Sequence, residues 1–126
     1  MSIFHIFSKK KTLIIPELGE FIISRKEGRN VVSRKISNEL GDFNLTFTLY
    51  DSAVTKYQLD LYDTIKNNWP NIAATLNTGH DSKEPIILEA VVIRDADDKR
   101  SDILCEVYTN TVVLEFEKGN ALFSNI

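Results

Sequence analysis

The chain has 126 residues, 43% of them hydrophobic and 26% charged, which fits one folded domain and excludes a disordered chain. Fifteen Lys and Arg against 18 Asp and Glu give a net charge of −3, which excludes a broadly basic nucleic-acid binder. One cysteine and two histidines exclude an internal disulfide and a four-ligand zinc site of N and S donors.

In chain order, Ile3, Phe4, Ile6 and Phe7 precede Lys9, Lys10 and Lys11. A secretory signal has the reverse order, and no run reaches the ~18 apolar residues of a membrane span. The expected compartment is the cytoplasm, where a lone Cys105 stays reduced. One short apolar segment with three lysines gives only marginal membrane affinity, so the leader (residues 1–11) is expected to be a terminal extension. The whole chain, 1–126, reads as a single domain.

Leu13–Ile15 and Phe21–Ile23 read as strands separated by Pro16-Glu17-Leu18-Gly19, and Val31–Ile36 as a weaker strand after the turn Glu27-Gly28-Arg29-Asn30. Phe43, Leu45, Phe47 and Leu49 alternate with Asn44, Thr46 and Thr48, the cleanest strand signal present. Connections this short imply an antiparallel meander. Asp51-Ser52 can cap a helix. Val54, Tyr57, Leu61, Ile65, Trp69, Ile72 and Leu76 then recur at steps of three and four, predicting a helical stripe over about 52–77. Pro70 predicts a kink or break at Asn67–Trp69.

Ile86 to Ile93 is apolar on both faces except at Glu89, which predicts a central strand. After the polar loop Asp95–Arg100, Ile103, Cys105 and Val107 are expected inward, then Val112, Leu114 and Phe116, with Glu106, Glu115 and Glu117 outward. Lys118-Gly119-Asn120 reads as a hairpin and Ala121–Ile126 as a last strand. The fold class is therefore α+β: two antiparallel meanders flanking a kinked or broken helix that packs on the sheet.

The candidate chemistries weigh against catalysis. Asp95, Asp97, Asp98 and Asp102 lack the glycine and terminal glutamate of a calcium loop. His80-Asp81-Ser82 are adjacent, whereas a triad is assembled from separate segments, and no Gly-x-Ser-x-Gly elbow is present. The glycines at 19, 28, 41, 79 and 119 are scattered singly, unlike a phosphate-binding loop. Inward-facing Cys105 reads as a small hydrophobe. Glu106, Glu115 and Glu117 read as a charged strand face that discourages edge pairing, although paired carboxylates also serve glycoside hydrolysis. No catalytic residue, metal ligand or cofactor is implied. Tyr62, one step off the core stripe and expected half-exposed, forms with Asp60 and Asp63 a polar–aromatic surface suited to a partner.

Phe7-Ser8-Lys9-Lys10-Lys11 followed by Ile15-Pro16-Glu17-Leu18-Gly19-Glu20-Phe21 resembles the opening of small bacterial proteins classed as domains of unknown function. Their layout of meander, tryptophan-bearing helix and second meander is echoed by Trp69 and Lys118-Gly119-Asn120. The resemblance implies an α+β fold and a stand-alone cytoplasmic protein. Some relatives of such families resemble immunity proteins against secreted toxins. The expected function is a non-catalytic bacterial binding or interaction protein with a protein partner, toxin neutralisation being one form. Two alternatives stay open: an enzyme with a carboxylate-based site, and a peripheral membrane protein using residues 3–11. Homo-oligomerisation is also left open, and nucleic acid is not an expected partner.

Overall fold

The computed structural model describes residues 11–26, 28–50, 53–78, 85–97 and 102–117. They form strands β1 (Thr12–Ile15), β2 (Gly19–Lys26), β3 (Arg29–Asn38) and β4 (Gly41–Leu49), helix α1 (Lys56–Thr78), then β5 (Leu88–Arg94), β6 (Ile103–Thr109) and β7 (Val113–Glu117). All seven strands join one sheet in chain order, so the fold is α+β.

The first four strands are an antiparallel meander, as their short connections require. The β1–β2 turn closes with Leu18 N–H on the Ile15 carbonyl at 2.9 Å. The β3–β4 turn is set by Asn38, whose Oδ1 accepts the Leu40 N–H at 2.8 Å. Gly41 follows at φ 109°, a conformation that costs a glycine little. The segment 31–36, weak in sequence, is the middle of a ten-residue strand. The alternation in β4 works as expected: Phe43, Leu45, Phe47 and Leu49 are all buried.

Four strands precede the helix and three follow it, and the two groups share one sheet. β5 returns parallel to β4, with Leu45 opposite Val91 and Phe47 opposite Ile93. Parallel neighbours need a crossover, and α1 supplies it. The sequence pattern of two separate meanders missed this seam. β5 to β7 are antiparallel and carry two irregularities, between Leu88 and Ala90 and between Ile103 and Cys105. The first puts Leu88, Val91 and Ile93 in the core while Glu89 and Ile87 are exposed. Strict alternation would instead put Leu88 on one face with Ala90 and Val92, which are half-buried. The second buries both Leu104 and Cys105. Phe116 is buried as expected, but Val112 is 40% exposed.

The helix differs from expectation in three ways. Its cap is Thr55, whose Oγ1 accepts the Gln58 N–H at 3.2 Å while Gln58 Oε1 accepts the Thr55 N–H at 2.9 Å. This is a reciprocal capping box, three residues beyond Ser52. Second, the buried stripe is Gln58, Leu61, Tyr62, Ile65 and Trp69. Tyr57, counted as core from its spacing, is 50% exposed. Third, of the kink or break expected at Pro70 the break is absent: the helix is one uninterrupted element with Pro70 inside it. The proline forfeits one backbone bond at a cost of ~3 kcal/mol. It stands on the exposed side of the helix. Buried Trp69 before it, and Ile72, Ala73 and Leu76 packed on the core after it, hold the two halves on the same sheet.

Gln58 also ties the helix to the seam. It is fully buried, and its Nε2 donates to the carbonyls of Thr48 at 2.9 Å and Ile93 at 3.3 Å, near the ends of β4 and β5. Ala121–Ile126 and Lys118-Gly119-Asn120 lie outside the described residues.

Candidate functional site

Three segments distant in sequence meet beside the helix: the β1–β2 turn, the second half of β3 with its following turn, and the first half of α1. They enclose a cleft of about 310 Å³ whose lining includes Glu17, Arg34, Asn38, Glu39, Tyr62 and Lys66.

Tyr62 belongs to the helix stripe and is 2% exposed, not half-exposed as its offset suggested. Its ring lies 6.4 Å from that of Phe43. Burial pushes its hydroxyl above the ordinary tyrosine range. The hydrogen bond from the Asn38 side chain pulls the other way, and the charges of Asp63 and Glu39 add to the upward shift. Asn38 thus works twice, closing the β3–β4 turn through Oδ1 and engaging the phenol.

Arg34 is on the same face of β3 as Val32 and Ile36, opposite Leu45. It reaches across the β1–β2 hairpin, where its Nη1 donates to the Glu20 carbonyl at 3.1 Å. The guanidinium lies over Gly19: a Cβ there would stand 2.9 Å from Arg34 Cζ. Gly19 also has φ 101°, so glycine serves both the turn and the close approach. Lys66 sits 5.8 Å from the centroid of the Tyr62 ring and 3.9 Å from Asp63 Oδ1.

Of the sequence-derived surface Tyr62, Asp60 and Asp63, the structure keeps Tyr62 as the buried end of the cleft. Asp60 and Asp63 are exposed on the helix, Asp63 positioning Lys66. Arg34, Lys66, Asn38, Glu17 and Glu39 carried no sequence signal, because isolated charges and turn formers read as surface. The nearest hint was Gly19 within the Pro-x-Leu-Gly-x-Phe opening.

A second polar cluster lies on the sheet face away from the helix. Arg94 pairs with Glu106, whose other oxygen accepts the Tyr108 hydroxyl at 3.0 Å. Glu115 is the direct cross-strand partner of Glu106. The Glu106 hydrogen bond is the main cause raising the Tyr108 pKa. Glu106 is thus occupied by two neighbours, as a strand-face tie.

Cys105 is fully buried, and desolvation pushes its thiol up to about 12, with Glu106 adding to the shift. Of the acidic loop, Asp95 is buried and its Oδ1 accepts the Asp97 N–H at 2.9 Å, while Asp102 is exposed. Asp98, His5 and His80-Asp81-Ser82 lie outside the described residues. Among the described residues, no helix is long and apolar enough to cross a membrane. Compared with protein-family models, curated proteins and solved structures, the chain has no match.

Proposed function

We propose that the protein is a non-catalytic binding protein that engages a protein partner through this cleft. The observation that carries the reading is charge of both signs held in place around one concavity: Arg34 fixed on the Glu20 carbonyl, Lys66 beside Asp63 and the Tyr62 ring, with Glu17 and Glu39 on the same lining. Such an arrangement selects a partner and orients it. Tyr62, the central titratable group, is displaced further from neutral pH, the wrong direction for acid–base work. A bacterial, cytoplasmic and toxin-neutralising role is the form suggested by the resemblance of the opening segment.

The test is affinity capture from a lysate of the source organism with the full chain and with Arg34→Glu/Lys66→Glu as parallel baits. A stoichiometric protein retained by the first and lost by the second is the expected result. If that protein is a secreted toxin domain, the immunity form stands. Identical capture by both baits removes the cleft as the interface.

A further inference from the structure

We infer that the cleft is a carboxylate site, in which an acidic side chain of the partner sits between Arg34 and Lys66 beside the Tyr62 hydroxyl; this rests on the binding role proposed above and names the group it recognises.

The placement of Arg34 is built into the backbone. Its guanidinium occupies the space left by the missing Cβ of Gly19 and is anchored through Nη1 alone on Glu20. Among the described residues that is its single hydrogen bond, so the rest of the planar donor fork is available, the geometry that matches a carboxylate. Lys66 is steered to the same cleft by the Tyr62 ring and Asp63. Tyr62 lines the same cleft, and a phenol held above its ordinary range stays protonated and able to donate.

The charges around the cleft favour a singly charged ligand. Arg34, Lys35 and Lys66 line the cleft against Glu17 and Glu39, and Asp63 lies beside Lys66, so the charges balance and the open donor fork of Arg34, rather than a net charge, selects the ligand. One carboxylate matches that fork with a single charge, whereas a phosphate dianion brings a second charge against both glutamates. At about 310 Å³ the cleft is at the small end of ligand pockets and suits one side chain with its flanking backbone. A free small acid carries the same chemistry, and the experiment separates the two sources.

The full chain, labelled with ¹⁵N, is titrated with the blocked pentapeptide Ac-Ala-Ala-Glu-Ala-Ala-NH2, its Gln counterpart, sodium acetate and inorganic phosphate. The Glu peptide is expected to give saturable shifts at the amides of Arg34, Asn38 and Lys66. The Gln peptide should bind about ten-fold more weakly or worse, as loss of a charge-assisted contact implies. Arg34→Gln and Lys66→Met should each cost a similar factor, and Lys66→Met, on a partly exposed helix position, leaves the fold intact. Tighter binding of the Glu peptide than of acetate is the expected result; equal binding assigns the site to a free small acid and overturns the partner side chain as its occupant. Equal binding of the Glu and Gln peptides, tighter binding of phosphate, or unchanged affinity in both variants overturns the carboxylate site. If capture of a partner depends on Arg34 and Lys66 while no carboxylate probe binds, the binding role survives and this inference fails.

Discussion

Gln58→Ala tests the joint between helix and sheet. The side chain is fully buried, and each of its polar atoms has a partner: Oε1 takes the Thr55 N–H, and Nε2 serves the Thr48 and Ile93 carbonyls. Two lost hydrogen bonds amount to about 1–3 kcal/mol. Loss of the Oε1 half of the capping box, with the Thr55 Oγ1 bond to the backbone N–H kept, adds about 1 kcal/mol. One buried methylene lost from the interior adds about 0.8 kcal/mol. The expected destabilisation is about 3–5 kcal/mol, read from urea unfolding followed by the fluorescence of Trp69, the sole tryptophan and itself buried. Gln58→Glu sharpens the argument. It preserves shape and the acceptor for Thr55 but aims a carboxylate at two carbonyls, which raises the folded-state pKa of the introduced acid. The variant is then least impaired below the unfolded glutamate pKa of about 4.3. Its deficit grows as pH rises from there and is complete above the raised folded value. A loss below about 1 kcal/mol for Gln58→Ala, or a deficit for Gln58→Glu that does not grow with pH, refutes the role given to this side chain.

Leu61→Ala and Ile65→Ala each remove a buried side chain from the helix stripe and should cost about 2–5 kcal/mol in the same assay. Asn110 clamps the entry to β5, accepting the Ile87 N–H at 2.9 Å and donating to the Pro85 carbonyl at 3.1 Å. Asn110→Ala should cost about 1–2 kcal/mol and speed hydrogen exchange at Ile87, whereas Asn110→Asp should retain the Ile87 protection and lose only the Pro85 bond. Cys105, buried with its thiol pushed up to about 12, should react with an aromatic disulfide at neutral pH only as fast as the protein opens, and immediately in denaturant. Rapid native-state labelling would contradict its burial.

What the sequence made legible was local. β4 could be read residue by residue because its two faces differ chemically, and the end of the helix stripe at Leu61, Ile65 and Trp69 followed from spacing. Gln58 was invisible because a polar residue is not counted in an apolar stripe, so the first turn was rotated onto Tyr57. The positions of Leu88 and Leu104 depended on irregularities that period-two reading does not contain. Pro70 signals a kink or a break because its local cost is plain in the sequence; that the helix runs on without a break depends on packing on either side of it, which is not. The parallel seam escaped because nothing local distinguishes a buried β4 edge that accepts β5 from one that ends a sheet. The cleft escaped for a related reason: Glu17, Arg34 and Lys66 are ordinary surface charges until three segments are brought together.

The seam between β4 and β5 also bears on the order in which the molecule assembles. Every other neighbour in the sheet is joined by a local connection, but Asn44 pairs with Ala90 roughly 46 positions later. Closing a loop about ten times longer than a hairpin costs about 2 kcal/mol more chain entropy. The two antiparallel groups can form before that cost is met, and the helix, capped through the same glutamine that bridges the strand ends, can only lock once both are present. The seam is therefore the expected slow step: conservative truncations at Val91 and Ile93 should mainly accelerate unfolding, while one at Val32, away from the seam, slows folding. Until it closes, β4 carries an unpaired edge beside the apolar row Phe43, Leu45, Phe47 and Leu49, which makes the half-assembled chain, rather than the finished one, the form most exposed to aggregation.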